Sequence, residues 1–211
     1  MLEAEKLRWE NTLRCELESL HETFEAGELA YLTLTSKAEH AIRDRLAFRL
    51  QKRLLKQGFV VAREWSTRVD LAVLTPNGEP QCLLELKFNL SCDILNKALR
   101  REVIAKLEAD RKKLQKANAE HPECICFQLL LLMRPTSPPT EQQDAHLKYG
   151  RILRQSHVES SKELENLVKD KHRLERMGQW PHPDSAFGIE VNMHYWLFKP
   201  TWIGLALGTN D

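Results

Sequence analysis

The sequence predicts an α/β sandwich: a mixed central β-sheet flanked by helices, preceded by an N-terminal helical extension. Three observations predict it. Apolar residues recur at helical spacing in two long stretches, with strand-like runs between them. Asn77-Gly78 lies between two apolar runs and is a strong hairpin signal. The run Leu129–Met133 is continuously apolar, as in a strand buried on both faces. The resulting order is helix, three strands, helix, strand, helix, two strands. It places antiparallel strands early and helices on both faces of the sheet.

Each element has its own signal. Leu2, Leu7, Trp9, Leu13 and Leu20 fall near helical spacing and predict a helix over 2–24, interrupted at Gly27. Thr35 or Ser36 opens a second helix reaching about Gln57, with Ile42, Leu46, Leu50 and Leu54 as its apolar stripe. Gly58 stands where a C-terminal cap belongs. Strands follow at Phe59–Trp65, Arg68–Thr75 and Gln81–Phe88. A long basic helix covers Ile94–Glu120 and ends before His121-Pro122. Cys124–Met133 is the next strand, and Pro135–Pro139 a loop. A helical stretch is expected over Glu141–Met177 with a break near His157, closed by Pro181 and Pro183. Phe187–Phe198 and Trp202–Leu207 are strand-like. These signals divide the chain into an extension, 1–35, and a domain, 36–211.

Composition excludes several classes. Hydrophobic residues at 42% and charged residues at 29% rule out disorder as the main state. The apolar runs fall far short of the ~20 residues that a membrane helix needs. Glu3, Glu5 and Glu10 replace the basic start of a secretory signal. Five cysteines without a CxxC spacing fit free thiols in a reducing, cytoplasmic compartment, with Cys124 and Cys126 on one strand face. The net charge of +1 hides an asymmetry. Residues 1–30 carry eight acidic and three basic side chains, whereas 37–64 and 97–116 each carry eight basic and three acidic ones. A polyanion can meet basic helices on a protein that is neutral overall, although such runs also serve simply as solvated faces.

The chemistry concentrates in Val69–Lys87. With Asn77-Gly78 at the centre of a tight turn, the hairpin register sets Asp70 directly opposite Glu85. Opposed Cβ atoms lie ~4.5–5.5 Å apart. Alternation puts Lys87 on the same face, with Leu84, Leu86 and Phe88 on the other. Facing carboxylates in apolar strands destabilise unless a cation compensates them, either Lys87 itself or a divalent metal. Hard carboxylate oxygens suit Mg²⁺, with Lys87 beside them to hold a water or steady a phosphate oxygen. Ser36-Lys37-Ala38-Glu39 forms a capping-box signature, which gives Glu39 a structural role at a helix start. Glu64 on the first strand is a weaker candidate. Glu190, Asn192 and His194 read as the solvated side of a late strand, and Trp65, Tyr195, Trp196 and Trp202 as core aromatics.

Asp70, a turn, then Glu85-Leu86-Lys87 on the next strand, between an acidic helix residue and a basic helix, resembles the PD-(D/E)XK nuclease superfamily with its restriction-endonuclease-like fold. The resemblance covers about residues 36–133. It implies that Asp70 and Glu85, with the Leu86 carbonyl, bind Mg²⁺, for which Mn²⁺ substitutes, and that Lys87 assists the water or phosphate. It implies Glu39 as a further acidic site residue, beside its capping reading. Val69 stands where the name-giving Pro would be, and the Gln/Tyr motif of the RecB-like branch is absent after Lys87. The implied activity is metal-dependent phosphodiester hydrolysis in nucleic acid, DNA first, in restriction, defence or repair. Arg43, Lys97, Arg100 and Arg101 are then the backbone-contacting cations, which position nucleic acid without reading sequence. A homodimer would supply two sites for a two-strand cut. The competing expectation is a non-cleaving nucleic-acid-binding or assembly module of the same fold. No phosphate loop, nucleophile elbow or HExxH helix is present.

Overall fold

Ile42, Leu46, Leu50 and Leu54 form the buried side of helix α3, Glu39–Leu54, in the computed structural model, which describes residues 2–66, 68–95, 97–154, 177–180 and 184–199. Two helices precede it: α1, Leu2–Glu18, prolonged by a 3₁₀ turn at Leu20–Thr23, and α2, Glu28–Thr35. The sequence does not announce α2, because its cap comes from elsewhere. The Asp184 carboxylate accepts hydrogen bonds from the Gly27 and Ala30 N–H groups at 2.7 and 2.9 Å. Gly27 opens α2 with a left-handed φ of 81°. After α3, Gly58 ends the 3₁₀ turn Leu55–Gln57 with φ 80°, the conformation expected of it.

The strands are β1, Val60–Trp65; β2, Val69–Leu74; β3, Pro80–Leu90; β4, Ile125–Pro135; β5, Met177–Gln179; β6, Asp184–Ala186; and β7, Ile189–Phe198. Among the described residues they form one seven-stranded sheet in the order β1-β2-β3-β4-β7-β5, with β6 pairing β7. β3 and β4 run parallel and the other pairs antiparallel, so the sheet is mixed. The crossover from β3 to β4 carries helices α4, Ser91–Leu95, and α5, Lys97–Glu120, over which the expected helix Ile94–Glu120 falls. The expected helix over Glu141–Met177 is corrected at both ends. It begins as a 3₁₀ turn at Gln143–Ala145, residues 150–154 are helical, and Met177 opens strand β5. The break near His157 and the strand Trp202–Leu207 lie outside the described residues.

The strand period of two sorts side chains onto two faces. Leu71, Leu84, Leu86, Phe88, Phe127, Leu129, Leu131 and Met133 form one buried cluster with α1, α2 and α3. Leu13, Leu17, Leu29 and Leu34 belong to that cluster, so residues 1–35 share the core of the sheet. On the opposite face, Ala72, Leu74 and Leu83 pack with Leu114 and Ala117 of α5. No helix among the described residues is long and apolar enough to cross a membrane.

Candidate functional site

The β2–β3 register is the one the hairpin signal dictates. Leu71 pairs with Leu84, Ala72 with Leu83 and Val73 with Cys82, with an irregularity absorbed between Val73 and Leu74 at the turn. One step further this register would set Asp70 opposite Glu85. The ladder ends at the Leu71–Leu84 pair, and β3 runs on alone along that edge to Leu90. Side chains take over from the missing strand. Asp70 Oδ2 accepts from the Leu86 N–H at 2.8 Å, Glu39 Oε2 from the Phe88 N–H at 2.9 Å, and Asp93 Oδ2 from the Leu90 N–H at 3.1 Å. Alternate residues of a strand address the same edge, and a residue's N–H and C=O point the same way. The Leu86 carbonyl therefore opens toward the edge where Asp70 sits.

Glu39 thus lies at this site and not in a capping box. Ala38 occupies the cap position of α3, no side-chain cap bond forms, and the Ser36 hydroxyl bonds back to the Leu32 carbonyl at 2.9 Å. Lys87 stands between carboxylates from two helices, 3.9 Å from Glu39 Oε2 and 3.4 Å from Asp110 Oδ2 of α5. Burial alone would lower the Lys87 ammonium, but Glu39, Asp110 and Asp70 outweigh it and hold the pKa above its ordinary value. Asp110 itself is raised by burial, with Lys87 and Lys113 drawing it partly back.

Glu85 is the most enclosed acid of the group, 3% exposed. Lys113 Nζ lies 2.5 Å from its Oε1. This ammonium is the contact that the structure gives that buried oxygen. Burial pushes the Glu85 carboxyl up to about 8; Lys113 opposes the rise, and the Asp70 charge adds to it. At neutral pH the folded chain keeps Glu85 largely protonated.

Arg43 is placed differently from its expected role. It is buried, 7% exposed, and turned inward. It donates to Glu64 Oε1 at 2.9 Å and to Asp44 Oδ1 at 3.0 Å, and its Nη1 stands 4.0 Å from Asp70 Oδ1. It steadies the acids and is not an outward phosphate contact. Glu64 is held with a left-handed φ of 50°, between the paired Arg63–Leu71 and Trp65–Val69. Such a conformation costs a non-glycine residue ~1–2 kcal/mol, and strain of this kind concentrates at functional sites. Arg101 is exposed on α5 and Arg100 half-buried, while the side chain of Lys97 lies outside the described residues.

Two residues of the cluster escape the sequence reading, Asp110 and Lys113, which count there only as part of a charge run. One signal was available. Val103, Leu107, Leu114 and Ala117 are buried at alternating spacings of four and three, and Asp110 occupies the missing step of that stripe. The solvated reading of Glu190, Asn192 and His194 holds for Glu190 and fails for His194, which is buried on β7. Its Nδ1 is unpartnered, and burial, helped by Arg134, lowers its pKa to about 4.

Among the described residues, no group of three or more His, Cys, Asp or Glu side chains is arranged to hold a metal ion. Two carboxylates and a carbonyl fall below that count, yet they suit Mg²⁺, which keeps several waters and uses one or two carboxylates. The buried Glu85 carboxyl, under the Asp70 charge and met at Oε1 by a lysine ammonium, is a place where a cation already compensates acid, which fits a hard cation. No family model, no curated protein and no solved structure matches the chain.

Proposed function

We propose that the chain is a Mg²⁺-dependent nuclease of restriction-endonuclease-like fold that hydrolyses phosphodiester bonds in nucleic acid, DNA foremost. One observation carries the reading. Glu39, Asp70 and Lys87, separated by up to 48 positions, meet along the open edge of β3 with Glu85 beside Asp70. Asp70, Glu85 and the Leu86 carbonyl would hold Mg²⁺, or Mn²⁺ in its place. When bound, the metal supplies a Lewis acid for the scissile phosphate and a lowered pKa for its water. The chain's own groups do the rest. Binding requires Glu85 to release its proton. Lys87, fixed by Glu39 and Asp110, offers its ammonium to a phosphate oxygen or the attacking water. Arg43 holds Glu64 in place at 2.9 Å and stands 4.0 Å from Asp70. Exposed cations of α5, Arg101, Lys112 and Lys116, line up for backbone phosphates.

A second reading has its own support. Lys113 already stands on Glu85. If it never leaves, the protein is a non-cleaving nucleic-acid-binding module. One experiment separates the two: supercoiled plasmid incubated with Mg²⁺ or Mn²⁺, with and without EDTA, alongside Asp70→Asn. Cleavage that needs both the metal and Asp70 is expected, with a loss of at least ~10³-fold in the variant. Retardation of uncut plasmid would favour the binding module. Neither cleavage nor retardation would remove DNA as the substrate.

A further inference from the structure

Strand β3 and helix α5 present each other with opposite charges in inverted order. Glu85 and Lys87, two apart on the strand, meet Lys113 and Asp110, three apart on the helix. Each spacing places its two residues on one face of its own element. The two cations are held unequally. Lys87 is fixed between two carboxylates, Glu39 and Asp110. Among the described residues Lys113 has one carboxylate within ion-pair distance, Glu85, whose Oε1 is 2.5 Å away. Its other partner is a backbone group: Nζ donates to the Arg68 carbonyl at 2.7 Å. The Lys113 side chain is 28% exposed, whereas Glu85 is 3% exposed. Lys113 can therefore leave for water along its flexible stem, and Glu85 cannot.

Resting on the metal reading above, we propose that Lys113 is a built-in stand-in for the divalent cation. Its ammonium occupies Glu85 Oε1 when no divalent cation is bound, and the cation enters by displacing it. A carboxylate-bound Mg²⁺ sits ~2.0–2.1 Å from its oxygen, so ammonium and dication on the same Oε1 would be in direct repulsive contact. The Arg68 carbonyl gives the departing ammonium a polar partner at the rim. Lys113 thereby regulates the site: it sets how much cation is needed to fill it.

The test is Mn²⁺ binding to the full chain, without nucleic acid, followed by calorimetry and by the spin-resonance signal of free Mn²⁺. Lys113→Met keeps the apolar stem and removes the charge. It is expected to bind Mn²⁺ about tenfold more tightly than the unsubstituted chain. Lys113→Arg, which keeps the cation, is expected to restore the weaker affinity. Thermal unfolding of each variant shows that it is folded. Binding by Lys113→Met that is equal to or weaker than that of the unsubstituted chain overturns the stand-in role while leaving the metal site intact. Absence of Mn²⁺ binding in all three proteins overturns the metal reading, and the stand-in role with it.

Discussion

The two faces of the sheet are made by the same strands and behave in opposite ways. Toward α1–α3, β3 and β4 present Leu84, Leu86, Phe88, Phe127, Leu129, Leu131 and Met133. Toward α5, the alternate residues include Glu85, Lys87 and Asn89 on β3, Gln128 on β4 and His194 on β7, all buried or nearly so. The first face is closed apolar packing. The second retains buried polar atoms without hydrogen-bond partners, among them Asn89 Nδ2, Gln128 Oε1 and His194 Nδ1. Orphaned buried polar groups cost ~1–3 kcal/mol each, so the second face weakens the fold that the first one holds together. A chain gains no stability from that arrangement. The two faces divide into closed apolar packing and buried polar groups, in a pattern set by nothing more than strand alternation.

That contrast can be broken in three ways. The largest effect belongs to the apolar face. Phe127 is fully enclosed, and Phe127→Ala is expected to cost ~4 kcal/mol of unfolding free energy in a denaturant titration. A cost below ~1 kcal/mol would mean that this face is not what stabilises the sheet.

The next effect is on the polar face and depends on pH. Glu85 keeps its proton in the folded chain up to about pH 8, whereas its ordinary value is 4.5. Its stabilising contribution is therefore full below pH 4.5 and falls as pH rises to about 8, because the unfolded chain ionises first. Glu85→Gln removes the titration. With chelator present, the variant should gain roughly 2 kcal/mol relative to the unsubstituted chain between about pH 6 and pH 8. Parallel stability curves would mean that Glu85 is ionised throughout and that the polar face is not under this strain.

The smallest effect sharpens the comparison from outside. Lys106 and Glu102 form an exposed pair one turn apart on α5, at 3.8 Å. Lys106→Ala should change stability by no more than ~0.5 kcal/mol, measured by thermal unfolding. A larger loss would show that the helix surface, and not its buried stripe, holds α5 on the sheet.

Local physics made part of this legible in the sequence. The Asn77-Gly78 turn fixes the β2–β3 register, and alternation puts Glu85 and Lys87 on one face of β3. The helix stripe of α3 and the two-sided burial of β4 are legible for the same reason. What escaped depends on distant parts of the chain. α2 is capped by Asp184, 157 positions from Gly27. The choice of Glu39 between Ser36 and Phe88 is decided by where β3 lies against α3, which no window of sequence contains. Asp110 and Lys113 reach the site because of the rotational setting of α5 over the sheet. His194 is polar and alternating, yet buried, because β7 is an inner strand flanked by β4 and β5.

The bare edge of β3 carries one more consequence. A strand edge with free N–H groups is a template on which another extended chain can grow. Here Leu86, Phe88 and Leu90 would be such a template, and Asp70, Glu39 and Asp93 occupy its donors one by one. Carboxylates are poor company for an incoming apolar strand. The acids that give the site its charge also take up the donors that such a chain would need.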